Sequence, residues 1–257
     1  MNSKEAKMVS EAVQFVEGLG VPAIALVADI ESEVPNDASS SIGGSPSMPF
    51  GADWPKCNEG HPMVFLAQIN FAEMPPLQSF PASGVLQFFV KDEDVFGLFD
   101  EVFQVIFHAD ITGLARRKAP IVKNTPFGAR LHSEGATLRG LPAVGQPSFG
   151  CWQVEEYEEK LEAQGATDDV YDALDDIFFK ARPSVHYIGG HPCFDQGDVR
   201  GEDGRDMTSV LLQLGYQLDE NGWEVCWGDA GQATFLARES DLRKRDFSNV
   251  LYNWDCA

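Results

Sequence analysis

Gly43-Gly44-Ser45-Pro46 is followed by Phe65-Leu66-Ala67-Gln68-Ile69 and then by Gly84-Val85-Leu86-Gln87-Phe88-Phe89-Val90. The same three pieces return as Gly189-Gly190-His191-Pro192, Leu211-Leu212-Gln213-Leu214 and Gly231-Gln232-Ala233-Thr234-Phe235-Leu236-Ala237. From the second glycine to the glutamine is 24 residues in the first series and 23 in the second, and from that glutamine to the next glycine is 16 and 18. A glycine-proline turn, an apolar run holding one glutamine and a glycine-led run recur in the same order. This predicts a duplicated β unit, with copies at about 40–110 and 184–255, inside one domain spanning residues 1–257.

Outward from the repeats the pattern stays β-rich. Residues 23–29, 103–108, 184–188, 209–217, 223–227 and 249–255 read as short strands, and residues 4–19 place apolar side chains at helical spacing before Gly20 and Pro22. Residues 31–49 read as a loop, residues 219–222 as a turn and residues 239–245 as a short helical turn. Residues 136–150, broken by glycines and by Pro142 and Pro147, read as a long connection between the halves. Many short strands with few helices define an α+β fold.

Of 257 residues, 44% are hydrophobic, enough for a substantial core; 40 acidic against 19 basic residues leave a net charge of −21. Such a field repels nucleic acid and anionic membrane and draws in cations or basic proteins. The five cysteines are odd in number and scattered, which is not a disulfide framework. No run approaches eighteen apolar residues and the polar start Met1–Lys7 lacks an apolar leader, so a soluble cytoplasmic protein is expected.

Chemistry is harder to read. No Gly-x-Ser-x-Gly elbow, phosphate-binding glycine loop or Cys-x-x-Cys occurs, so no enzyme activity and no cofactor is expected. Gln68 and Gln213 are polar residues within apolar runs. Each either bonds a neighbouring loop, such as a Gly-Gly-x-Pro backbone, or meets a ligand in a cleft between the copies, where Asp229 in its glycine-bracketed turn would join them. Cys57 with His61, and His191 with Cys193, lie at matching places in the two copies. If the copies converge, the four are candidate zinc ligands, though the spacing is poor.

Residues 155–182 hold ten acidic and three basic residues, a third of the net charge in 28 residues. Apolar residues four apart on either side of Gly165 read as an acidic insertion of two amphipathic helices, the second capped by Thr167. A solvated face is one reading. A docking face for a basic protein, using its apolar stripe and its carboxylates, is the other. Its candidate residues are Glu155, Glu156, Glu158, Glu159, Asp168, Asp169 and Asp172, with Asp195 and Asp198 from the acidic loop after the second Gly-Gly-x-Pro.

These turns and strands, together with Trp54-Pro55, Gly60-His61-Pro62-Met63, Gln196-Gly197-Asp198, Trp227-Gly228-Asp229-Ala230-Gly231 and Asp246-Phe247-Ser248-Asn249-Val250, resemble the YwqG-like family of bacterial domains over nearly residues 40–255. The resemblance implies an internally duplicated α+β fold and no established enzyme activity. Some members carry Cys-x-x-Cys where this chain has Cys57-Asn58-Glu59-Gly60. Some relatives are encoded beside bacterial toxins, which implies an immunity protein: an inhibitor that occludes a toxin domain, a nuclease by the charge. The alternative expectation is a small-molecule-binding protein or an enzyme with its cleft between the halves.

Overall fold

The computed structural model describes residues 1–30, 33–35, 37–148, 150–180, 182–219 and 223–256. In chain order its elements are α1 (Ser3–Gly18), β1 (Val21–Asp29), β2 (Ser41–Ile42), β3 (Ser47–Pro49), β4 (Val64–Asn70), β5 (Val85–Val90), β6 (Phe103–His108), β7 (Leu114–Arg116) and α2 (Ala129–Glu134). There follow β8 (Ala136–Gly145), α3 (Trp152–Ala163), α4 (Asp168–Lys180), β9 (His186–Gly189), β10 (Ser209–Leu214), β11 (Gln217–Leu218), β12 (Glu224–Val225), β13 (Gln232–Ala237), α5 (Glu239–Leu242) and β14 (Val250–Asp255). The turn expected at 219–222 lies mostly outside the described residues.

Ten strands form one antiparallel sheet in the order β14-β13-β10-β9-β1-β8-β2-β4-β5-β6. β1 and β8 stand at its centre. Outward from them, β2-β4-β5-β6 and β9-β10-β13-β14 each follow chain order. The sheet curls until it is nearly a closed barrel: its outermost strands meet through side chains, with Phe103 of β6 and Tyr252 of β14 at 5.2 Å between ring centroids. The barrel interior is apolar, and Phe88 from one flank touches Phe235 from the other at 5.0 Å. Burying side chains of this size contributes about 1.5–3 kcal/mol each, which is why the two flanks cohere as one core.

Two local devices recur on both flanks. The Gly43-Gly44 and Gly189-Gly190 pairs take left-handed backbone at both residues, with φ of 64° and 64°, and 69° and 70°. A Cβ at Gly43 would lie 2.4 Å from Leu131 O, and one at Gly189 2.6 Å from Leu77 Cδ2, so both conformation and space require glycine. β4 breaks register with β5 between Phe65 and Ala67, and β10 breaks register with β13 between Val210 and Leu212. In each case the bulge lies two residues before the buried glutamine and increases the local twist that curls the sheet.

The expectation that 136–150 is a connection is overturned for its first ten residues, which form β8 and pair with β1 from Val21↔Gly145 to Asp29↔Thr137. The proline that argued against a strand is tolerated because the second edge of β8 is paired only at its start, with β2 at Ala136 and Thr137 and with Ser40 O through Leu138 N–H at 3.0 Å. Beyond that point one edge of β8 is open, so Pro142 removes no donor that a strand there would use.

The acidic segment forms two helices, α3 and α4, and Gly165 at φ 76° separates them. Thr167 stands just before α4, but its hydroxyl donates to Glu5 of α1 at 3.1 Å. The apolar stripe is not available to a partner. Val154, Leu161, Val170, Leu174 and Phe178 are buried against Met8, Ala12 and Val16 of α1, and Tyr157 stacks on Phe15 at 4.3 Å. No helix among the described residues is long and apolar enough to cross a membrane.

Candidate functional site

The carboxylates of α3 and α4 point outward because the opposite stripe is buried. Glu155, Glu156, Glu159, Asp168, Asp169 and Asp172 are exposed, and Glu158 is half-buried. Burial, then the neighbouring Glu155 and Asp175, hold the Glu158 carboxyl above its usual range. Burial, then Glu162 and Glu158, likewise raise the Tyr171 phenol. α3 and α4 therefore share one negative field. Among the described residues its ion pairs are Arg205 with Glu156 at 2.9 Å and the Met1 amine with Asp169 at 3.6 Å. Both are exposed contacts of little energetic weight.

The two loop carboxylates differ from this face. Asp195 is exposed, and its Oδ1 accepts from Gln232 Nε2 at 3.0 Å. Asp198 is turned inward: its side chain is 5% exposed and Arg200 beside it 1%, with Arg200 Nε donating to Asp198 Oδ1 at 2.8 Å. Burial alone would push the Asp198 carboxyl up, but the guanidinium holds it below its usual range. Its Oδ2 also accepts from Trp152 N–H at 3.1 Å, placing negative charge at the positive end of α3. Asp198 fastens the helical layer to the barrel, and its charge is neutralised inside the fold.

Gln68 and Gln213 are both fully buried. Gln68 Oε1 accepts from Ser47 N–H at 2.8 Å, and its Nε2 donates to Ser39 O at 2.7 Å. Gln87 Nε2 donates to Gln68 Oε1 at 3.0 Å and to Ser47 O at 2.7 Å. On the other flank, Gln213 Oε1 accepts from Cys193 N–H at 3.3 Å, and its Nε2 donates to Cys193 O at 3.1 Å and Gln232 Oε1 at 3.1 Å. Each glutamine thus holds the residue that follows a Gly-Gly-x-Pro turn. Asp229 stands exposed in its turn between Gly228 and Ala230, both left-handed at φ 57° and 55°.

A cavity of about 350 Å³ does lie between the flanks. Leu77, Gln78 and Phe80 line it from the first flank, Gly189, His191, Arg200 and Glu239 from the second, and Gln153 of α3 from the helical layer. Gln68, Gln213 and Asp229, the residues read as lining a cleft, border none of the described cavities, whereas His191, read as a zinc candidate, lines this one. His191 Nε2 bonds Leu19 O at 2.9 Å, so that nitrogen carries the hydrogen, and burial keeps the imidazole pKa below its ordinary value. Arg200 and Gln153 were missed in the sequence. Arg200 had one signal, a cation among carboxylates in loop 195–206.

The two Cys/His pairs do not converge. Cys57 and His61 gather with Glu59, all three donor atoms lying within 4.8 Å of one another, and among the described residues this is the only such group of three. Cys193 sits instead in the Gln213 network, where its Sγ accepts from Gln232 Nε2 at 3.3 Å and burial pushes its thiol pKa up.

A nearly closed, glutamine-braced β sheet with an acidic helical layer is the class of protein these features define. The chain belongs to the family described as Domain of unknown function (DUF1963), whose model matches residues 40–256. None of the curated proteins compared with the chain matches it.

Proposed function

We propose that this chain is a cytoplasmic immunity protein that binds a basic toxin domain, a nuclease, through the outer face of α3 and α4 and occludes its active site. The observation that carries this reading is the outward array of carboxylates with so few cations beside it. A nuclease must present a positive surface to phosphates, and an acidic face with few basic side chains is its electrostatic complement. Complementary fields raise association rates by roughly 10–10³-fold and lose that advantage in salt. The toxin expectation itself comes from the YwqG-like resemblance. An internal duplication is supported by the paired left-handed glycines, matching bulges and matching glutamine clamps, which two copies of one unit would retain.

The test is co-expression with a candidate basic nuclease toxin domain, followed by association kinetics across ionic strength. Replacing Glu155, Glu156, Glu158 and Glu159 together by lysine should slow association and flatten its salt dependence. Undiminished killing by the toxin when the wild-type chain is present would exclude the role. Binding indifferent to the four replacements would move the docking face elsewhere.

The cavity favours a second reading, a small-molecule-binding protein. Gln153, which lines the cavity together with Arg200, has a buried Oε1 without a hydrogen-bond partner, and a ligand donor that reached it would satisfy it. A metabolite that raises the melting temperature of the wild type but not of Gln153→Ala would support this reading over docking.

A further inference from the structure

A short turn away from both the acidic face and the cavity holds an unclaimed set of donors. Lys56 and Pro62 form an isolated bridge, Cys57 N–H donates to His61 O at 2.9 Å, and Gly60 N–H donates to Cys57 O at 2.9 Å. The chain therefore doubles back over five residues, and alternate side chains, Cys57, Glu59 and His61, are brought to one place.

The donor set is chemically selective. A group of carboxylates alone suits any hard cation, whereas a thiolate, an imidazole and a carboxylate together suit zinc. His61 Nδ1 and Glu59 Oε2 are 3.6 Å apart. Two ligands about 2.1 Å from a tetrahedral zinc ion stand about 3.4 Å apart, so this edge is close to its bound length. The other Glu59 oxygen lies 3.5 Å from Lys91 Nζ, whose closer partner is Asp100 at 2.6 Å, so Oε2 faces His61 and not the lysine. Cys57 is 8% exposed and packs with Met63, Phe65 and Phe89, so the sulfur is fixed from beneath. Glu59 and His61 are exposed and need only small rotations to close on an ion.

We propose that Cys57, Glu59 and His61 form a three-ligand zinc site whose fourth position is open to water or to a group from a partner. Binding replaces the Cys57 S–H bond by a Zn–S bond and releases one proton to solvent, with no change of oxidation state. The site is independent of the acidic-face reading.

The experiment is titration of the full-length protein with cobalt(II), then zinc. A near-ultraviolet sulfur-to-cobalt charge-transfer band with visible bands of tetrahedral cobalt is expected, and zinc should bleach both. Cys57→Ser should abolish the charge-transfer band. His61 is 74% exposed, so His61→Ala leaves the fold intact. Since loss of an outer-shell partner already costs roughly 10–100-fold in metal affinity, loss of this ligand should weaken zinc binding by at least about tenfold. No band in the folded wild type, a band that survives in Cys57→Ser, or unchanged zinc affinity in His61→Ala overturns the proposal.

Discussion

Gln68 and Gln213 act as equivalent braces on opposite flanks of one sheet. Gln68 accepts from the N–H of Ser47 at 2.8 Å and Gln213 from the N–H of Cys193 at 3.3 Å, and both donating residues directly follow a Gly-Gly-x-Pro turn. A loop rich in glycine would otherwise carry large conformational freedom. A buried amide that bonds its backbone ties the loop to the strand behind it.

Gln68→Ala therefore strands the buried Ser47 N–H and one donor of Gln87, while the Ser39 carbonyl keeps its bond from Arg116 Nη2 at 2.7 Å. An unsatisfied buried group costs about 1–3 kcal/mol, so the variant should lose roughly 2–4 kcal/mol in urea denaturation. Gln68→Met, similar in volume but equally unable to bond, should do no better. Wild-type stability in both would show that the brace is dispensable.

The paired glycines can be tested against an unhindered one. Gly43→Ala meets Leu131 O at 2.4 Å and has φ 64°, whereas Gly51→Ala has φ 76° with nothing within 4 Å. Left-handed backbone alone costs an alanine about 1–2 kcal/mol. Gly51→Ala should show that loss, and Gly43→Ala a clearly larger one because a backbone oxygen must move. Equal melting temperatures would remove the steric argument.

Asp255 on β14 offers a pH signature. Burial raises its carboxyl pKa from 3.8 to about 6, while its Oδ2 accepts from Asp195 and Gln196 N–H groups. Between those values the folded state binds the extra proton. Its contribution is therefore full below pH 3.8 and lost as pH rises through about 6. Asp255→Asn keeps an acceptor without the charge, so it should be more stable than wild type at pH 8, and this advantage should shrink toward pH 4. His186, fully buried and held down to about 4 by that burial, acts in the opposite sense in both proteins: its contribution is full above 6.5 and falls toward pH 4. Comparing the two proteins at each pH cancels it.

Glu158→Gln removes one charge from the crowded α3/α4 face, where burial and then Glu155 and Asp175 raise its pKa. The variant should melt higher than wild type at neutral pH and low salt. The difference should narrow near 1 M salt, where the screening length is about 3 Å. A lower melting temperature would mean that the carboxylate is bonded rather than repelled.

Local pattern carried far in this chain. The run Ser3–Gly18, the helix pair broken at Gly165, and β4, β5, β6, β13 and β14 all follow from side-chain periodicity and turn residues, because those signals act within a few residues of their source. The excess of carboxylates is likewise a property of composition. Whatever depends on distant neighbours needed the folded chain. β8 looked like a linker because Gly140 and Pro142 are poor strand formers, yet β1 supplies a full-length partner and an open edge excuses the proline. The stripe of α3 and α4 looked like a docking surface until α1, some 140 residues away, covered it. Asp198 reads the same as Asp168 in sequence, and only the buried guanidinium of Arg200 separates an internal ion pair from a solvated charge. Cys57 and His61 gained Glu59 as a neighbour through a tight turn, while His191 and Cys193 were drawn into a different network. Periodicity records which way a side chain faces along its own element. What it faces is set by chain closure over long separations, where burial and pairing outweigh local preference.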